Sequence, residues 1–196
     1  MVNQVLISVM HRDEDQEFNS LKSLLDQYHP STVGLELPDN YLELSNHGVT
    51  IYFFSKAEKY LTDNGLQVIP LDSQDCWEEL TPVLIAKSVL EGKQTLEGLR
   101  KEIDLAFKKR KDVYTSPEAC YCYSRFYNQG KKALELLKAG LDTATLQGLW
   151  RKCMDNRNEV MLERILQHNP DCVILGDGHV QELTDRLNGY KIISLA

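Results

Sequence analysis

A chain of 196 residues, 42% hydrophobic and 26% charged, has room for one domain with a sizeable core and the composition of an ordinary globular protein. Its 22 basic and 29 acidic side chains leave a net charge of -7, which speaks against a nucleic-acid binder, since neutralising phosphates takes a basic face. No run approaches the roughly 18 apolar residues of a membrane span, and no basic n-region or small-residue cleavage site marks the start as a signal peptide. The five cysteines are odd in number and scattered, and only Cys120 and Cys122 are close, so no second pair offers a four-ligand zinc site. Reduced thiols and a cytoplasmic protein are expected.

Val5 to Met10 is an apolar run that predicts a first strand ending at His11. Arg12-Asp13-Glu14-Asp15 then puts acidic residues in a first helical turn, where they favour the positive end of the dipole. Phe18, Leu21, Leu24, Leu25 and Tyr28 follow at helical spacing, and Pro30 stops the helix. Thr32 to Leu37 predicts a second strand closed by Pro38. Its Glu36 interrupts an apolar stretch, which is costly unless the carboxylate is paired, coordinated or open to water. Residues 40–50 read as irregular or part-helical, with Gly48 as a breaker. Ile51 to Leu61 predicts a helix capped by Asn64-Gly65, and Leu66 to Leu71 a third strand ending at Asp72.

This order, strand, helix, strand, helix, strand, predicts a parallel sheet. From Ser73 to His168 no strand is legible. Four helices are expected there, around Trp77 to Ala86, from Leu96 to Lys109, from Pro117 to Lys138 and from Thr143 to Gln167. Cys172 to Leu175 and Lys191 to Leu195 return to strand patterning, with a short helix from Val180 to Leu187 between them. The expected fold class is therefore α/β, a mainly parallel sheet with a helical insertion before the last two strands. Residues 1–196 form one domain, and 73–168 form its mostly helical insertion or cap. The basic run Lys108-Lys109-Arg110-Lys111 reads as a solvated helix end.

The strand ends carry polar chemistry: His11, Glu36, Asp72 and, after the turn Gly176-Asp177-Gly178, His179. The two glycines are read as allowing a sharp turn and close approach. In a parallel sheet these ends share one edge, where ligands bind. Imidazole and carboxylate together can hold a divalent metal that acidifies water, or act without metal as a base near neutral pH. Asp72 reads rather as the N-cap of the next helix, and Asp177 as a turn or cap residue. His29 and His47 are set aside as loop residues, and His168 as a helix end. In the long fourth helix Met154, Met161, Ile165 and Leu166 make a buried stripe, and Arg157 lies close to it, either snorkelling to water or pointing into the cleft.

Together these residues resemble the TraB/TIKI superfamily, which takes in erythromycin-esterase-like and ChaN-like proteins. Gly176-Asp177-Gly178-His179 matches its second Gly-x-x-His motif, Val33-Gly34-Leu35-Glu36-Leu37 its glutamate strand, and Arg157-Asn158-Glu159-Val160-Met161 its helix motif. The first motif, Ser8-Val9-Met10-His11, has serine where the family has glycine. The resemblance implies different things by branch. TIKI members look like metal-dependent proteases using the two histidines and the glutamate, erythromycin esterases are metal-free hydrolases with a histidine base, ChaN-like members bind haem, and TraB-like bacterial members are linked to shutdown of peptide pheromones.

The leading expectation is a metal-assisted hydrolase of a peptide or other acyl substrate. His11, Glu36, Arg157 and His179 are its catalytic set, and His11, Glu36 and His179 ligate Mn, Co or Zn. Arg157 stabilises the anionic intermediate or holds a substrate carboxylate, and the aromatic helix around Tyr121 to Tyr127 covers the cleft. A metal-free esterase or lactonase and a non-catalytic binding module for a small molecule or peptide are the alternatives. The expected partner is a small-molecule or peptide substrate, with no nucleic acid and no membrane.

Overall fold

A computed structural model describes residues 4–10, 14–39, 52–111 and 117–195. His11, His47 and the irregular stretch read at 40–50 lie outside the described residues. The sheet has five parallel strands: β1 (Val5–Val9), β2 (Thr32–Pro38), β3 (Gln67–Asp72), β4 (Cys172–Gly176) and β5 (Lys191–Ser194), in the order β3-β2-β4-β1-β5. The helices are α1 (Glu14–Tyr28), α2 (Tyr52–Asp63), α3 (Gln74–Leu90), α4 (Leu96–Lys109), α5 (Pro117–Lys138), α6 (Thr143–His168) and α7 (Asp177–Leu183), the last running into a 3-10 turn at Thr184–Arg186. The protein is α/β with a parallel sheet.

Strand alternation divides the core in two. Val5, Ile7 and Val9, Val33, Leu35 and Leu37, and Cys172 and Ile174 face α1 and α2, which present Phe18, Leu21 and Leu25 and Phe53, Phe54, Ala57 and Leu61. Leu6, Val173 and Leu175 face the other way, onto Met161, Leu162 and Ile165 of α6 and Val180 and Leu183 of α7. The chain crosses the sheet one way through α1 and α2 and returns through α6 and α7. Right-handed crossovers then require these pairs on opposite faces, as found. Each such large apolar side chain stabilises the fold by about 1.5–3 kcal/mol on burial.

The amino edge of the sheet is built twice in the same way. His29 ends α1 and Asn169 ends α6, both with positive φ (46° and 45°), and each is followed by proline. The carboxylate of Asp171 then accepts hydrogen bonds from the Ser31 and Thr32 amides at 2.8 and 3.0 Å and from the Ser31 hydroxyl at 2.6 Å, tying β2 to β4. Gly34 is needed for close approach: a Cβ there would lie 2.9 Å from Leu71 Cδ1 and 3.2 Å from Pro170 Cγ. Pro70 is tolerated because β3 is an edge strand.

The described residues form two compact units. One holds the sheet, α1, α2, α7 and α6 from Arg157 onward; the other holds α3, α4, α5 and α6 up to Asn156. The helical unit begins at Gln74, where the composition changes. It ends inside α6 rather than at that helix's end, because Met161, Leu162 and Ile165 pack on the sheet. In the helical unit Ala86, Ala133 and Leu146 are fully buried against one another, with Leu136, Leu137 and Leu149 around them.

Candidate functional site

Glu36 stands on β2 between Leu35 and Leu37, which both face α1, so its side chain points to the opposite face. Here β2 carries a bulge: Leu35 pairs with Pro70, but Pro38 pairs with Asp72, one residue out of step. Bulges re-aim side chains at strand ends. Glu36 Oε2 accepts the Gly176 amide at 2.7 Å, which anchors the carboxylate where β4 ends and α7 begins. From α6, Arg157 Nη2 donates to Glu36 Oε1 at 3.0 Å and to Asp72 Oδ2 at 2.5 Å, while its Nε lies 3.3 and 3.2 Å from the two Asp72 oxygens. From α7, His179 Nε2 lies 3.3 Å from Glu36 Oε1, and its Nδ1 lies 2.6 Å from Asn158 Oδ1, one residue along from Arg157.

Two carboxylates, a guanidinium, an imidazole and a carboxamide thus converge on the side of the sheet where the strands end. All five side chains are buried. Burial pushes the Glu36 carboxyl up, but the hydrogen bond and charge of His179, the Arg157 guanidinium and the Gly176 amide together hold it below its ordinary value. Burial likewise opposes the charge on Arg157, and Asp72 first, then Glu36, more than restore it. Such a cluster is expensive to desolvate and is tolerated because every charge has a partner of opposite sign.

Of the expected catalytic residues, the structure brings Glu36, Arg157 and His179 together; His11 lies outside the described residues. Three sequence readings change, and one of the two alternatives for Arg157 is chosen. Asp72 is not an N-cap: α3 starts at Gln74, and the Asp72 carboxylate is gripped by Arg157 and accepts the adjacent Ser73 amide at 2.8 Å. The passage from β4 into α7 does not need glycine: Gly176 has φ -61° and ψ 145°, open to any residue, and a Cβ on Gly178 would meet nothing within 4 Å. Leu166 is 63% exposed, and Leu162 fills the stripe instead. Arg157 does not snorkel but is buried in its ion pairs. Tyr123 and Tyr127 pack within the helical unit, beside Lys109 and Phe107.

Three further contributors were missed. Asn158 lies with Met161, Leu162 and Ile165 on the buried stripe of α6, and a carboxamide on an apolar stripe is a signal that could have been read. Arg164, seven residues after Arg157, reaches the carbonyls of Pro70 and Asp72, and Asp39 at 3.1 Å. Ser8 is fully buried, and its hydroxyl donates to Asp177 Oδ1 at 2.8 Å.

The described donors do not by themselves fit a divalent metal. His179 Nε2 and Glu36 Oε1 are two candidate ligands, but Oε1 already carries the Arg157 cation, Oε2 carries an amide, and Asp72 is committed to Arg157. Among the described residues no group of three or more His, Cys, Asp or Glu is placed to hold one metal ion. The chain matches no protein-family model, no curated protein and no solved structure.

Proposed function

We propose that the protein is a hydrolase of the TraB/TIKI type, cleaving a peptide or other acyl bond at the Glu36–Arg157–His179 cluster. One observation carries the reading: the imidazole edge of His179 and the guanidinium of Arg157 meet on the same oxygen of Glu36. Imidazole is the proton carrier suited to neutral pH, and Glu36, held below its ordinary carboxyl range, is the weaker base. With Nδ1–H committed to Asn158 Oδ1, the proton of the attacking water goes to Nε2, beside Glu36 Oε1 at 3.3 Å, and passes from Nε2 to the leaving group. Glu36 orients the ring and balances the imidazolium that forms, while Asn158 fixes its other nitrogen. Arg157, held by Asp72, presents a cation to the oxyanion. The form dependent on Mn, Co or Zn rests on His11 completing a ligand set with His179 and Glu36. The setting proposed is the cytoplasm: no helix among the described residues is long and apolar enough to cross a membrane, and no disulfide joins Cys76, Cys122, Cys153 or Cys172.

A second reading, a non-catalytic module binding a small molecule or peptide, is favoured by the closure of the cluster, where no member is more than 6% exposed. Hydrolysis of p-nitrophenyl esters and fluorogenic peptides, measured after chelation and after adding back each metal, separates the readings. Turnover that vanishes in His179→Ala and Glu36→Gln, with both variants folded, supports the hydrolase. Loss on chelation assigns the metal-dependent form. No turnover on any substrate with any metal, or variants as active as the parent, removes it.

A further inference from the structure

The run Lys108 to Lys111 is a solvated helix end, and three of its cations also stack on aromatic rings. Helices α4 and α5 pack closely, Gly130 lying so near Ile103 that a Cβ there would come within 2.6 Å of Ile103 Cγ1. From that crossing the same pairing brings Phe107 onto Tyr127, with ring centroids 5.3 Å apart. The Arg110 guanidinium lies 4.0 Å from the Tyr127 ring centre and 4.6 Å from that of Phe107, and Lys111 and Lys131 stand over the same two rings at 4.8 and 5.5 Å. Lys109 lies 5.3 Å from the Tyr123 ring centre and 3.4 Å from its hydroxyl. Residues 105–111 and 122–134 hold Lys108 to Lys111 with Arg125, Lys131 and Lys132, and no carboxylate, in a chain of net charge -7.

A groove of about 440 Å³ runs beside this face, lined by Arg125, Tyr127, Asn128, Gln129, Lys131 and Lys132, with Glu78 and Glu135 also on its wall. Gln129 is 97% buried, and its carboxamide oxygen has no hydrogen-bond donor; the Nε of Arg110, which stacks on Tyr127, has no acceptor. Buried polar atoms of a folded protein are nearly always satisfied, so an orphan acceptor in the groove wall and an orphan donor over the Tyr127 ring call for an explanation.

We propose that this face of α4 and α5, centred on Tyr127, docks an acidic peptide segment of a partner protein. A peptide carries both missing groups: its carboxylates and carbonyls suit the stacked Arg110, and a backbone N–H suits Gln129 after a turn of its carboxamide. Stacking on two rings holds the Arg110 fork in place, so less freedom is lost on pairing. Phe107 and Leu105, 39% and 50% exposed beside these cations, add the apolar area that, with arginine and aromatics, marks protein interfaces. Single-stranded nucleic acid fits less well, because the rings on which bases would stack are already covered by the protein's own cations, and the rest of the chain repels a long polyanion.

The test titrates the full chain with a fluorescein-labelled peptide of alternating Glu and Leu, alongside a Lys and Leu peptide and an oligouridylate of equal length, reading anisotropy in 50 and 500 mM salt. The acidic peptide should bind at least about tenfold more tightly than the basic one and weaken in high salt, because exposed charges are screened. The double variant Lys131→Glu, Lys132→Glu changes two exposed residues outside the proposed hydrolytic cluster, so it should abolish binding and leave the circular dichroism spectrum unchanged. Equal binding of the two peptides, binding that survives the charge reversal, or tighter binding of the oligouridylate overturns the proposal.

Discussion

Arg157 grips Asp72 through two nitrogens, Nη2 at 2.5 Å and Nε at 3.2 Å from the same oxygen, in a site where Asp72 is fully buried. A buried ion pair is worth little over a well-packed apolar pair, but removing one member strands the other. Arg157→Met should therefore destabilise the sheet unit by about 3–5 kcal/mol, since it leaves two buried carboxylates facing each other. Adding Asp72→Asn to that variant should recover part of the loss. Urea denaturation of the single and double variants measures the coupling, and strictly additive effects would show that the pair is not the element that matters.

Glu36 makes stability depend on acid. Its carboxyl is held below its ordinary value in the folded protein, so between the folded and unfolded values the unfolded chain binds the extra proton. The contribution is present above the unfolded value, about 4.3, and is lost as pH falls through the lower folded value. Urea midpoints measured from pH 7 to pH 3 should fall steeply in the acid range. Glu36→Gln should flatten that slope while lowering stability near pH 7. An unchanged acid slope in the variant would assign the dependence to other carboxylates.

Cys172 offers a check on the sheet itself. It is 1% exposed between β1 and β2, and burial, with a smaller contribution from Asp171, pushes its thiol up to about 12. Thiolate is the reactive form, so at pH 8 iodoacetamide should modify this residue only after unfolding. The half-exposed Cys153, raised less by burial and Glu79, should react in the native protein. Peptide mapping of the alkylated sites tells them apart. Rapid native labelling at Cys172 would contradict a closed central strand.

Most elements could be read because their signals are local. Pro30, Pro38, Gly65 and Gly92 bound segments whose apolar spacing is either alternating or helical, and α4 and α5 begin and end where the pattern says. Glu36 and Arg157 were legible for the same reason, as charges where the pattern expects apolar residues. What sequence could not give is what depends on pairing. The bulge between Leu35 and Pro38 arises from register with β3, so Asp72 looked like a cap before a helix rather than the anchor of Arg157. The Ser8 contact to Asp177 spans 169 positions. The strand order, with β4 between β2 and β1, sets Glu36 beside Gly176, and no local pattern records it.

Gly130 tests the packing on which the docking face rests. The Cβ of an alanine there would lie 2.6 Å from Ile103 Cγ1 and 3.0 Å from Cδ1, closer than side-chain atoms approach in folded proteins. Ile103 is buried, so its branch has little room to retreat. Gly130→Ala thus gains helix propensity of up to about 1 kcal/mol but loses more to overpacking, typically about 1–3 kcal/mol. A net loss in thermal stability is expected. Pairing the change with Ile103→Val or Ile103→Ala removes the opposing atoms, so the double variants should recover stability relative to Gly130→Ala. They should also restore near-ultraviolet circular dichroism from the Phe107 and Tyr127 rings. If Gly130→Ala stabilises the protein on its own, the helices lie farther apart than this packing requires.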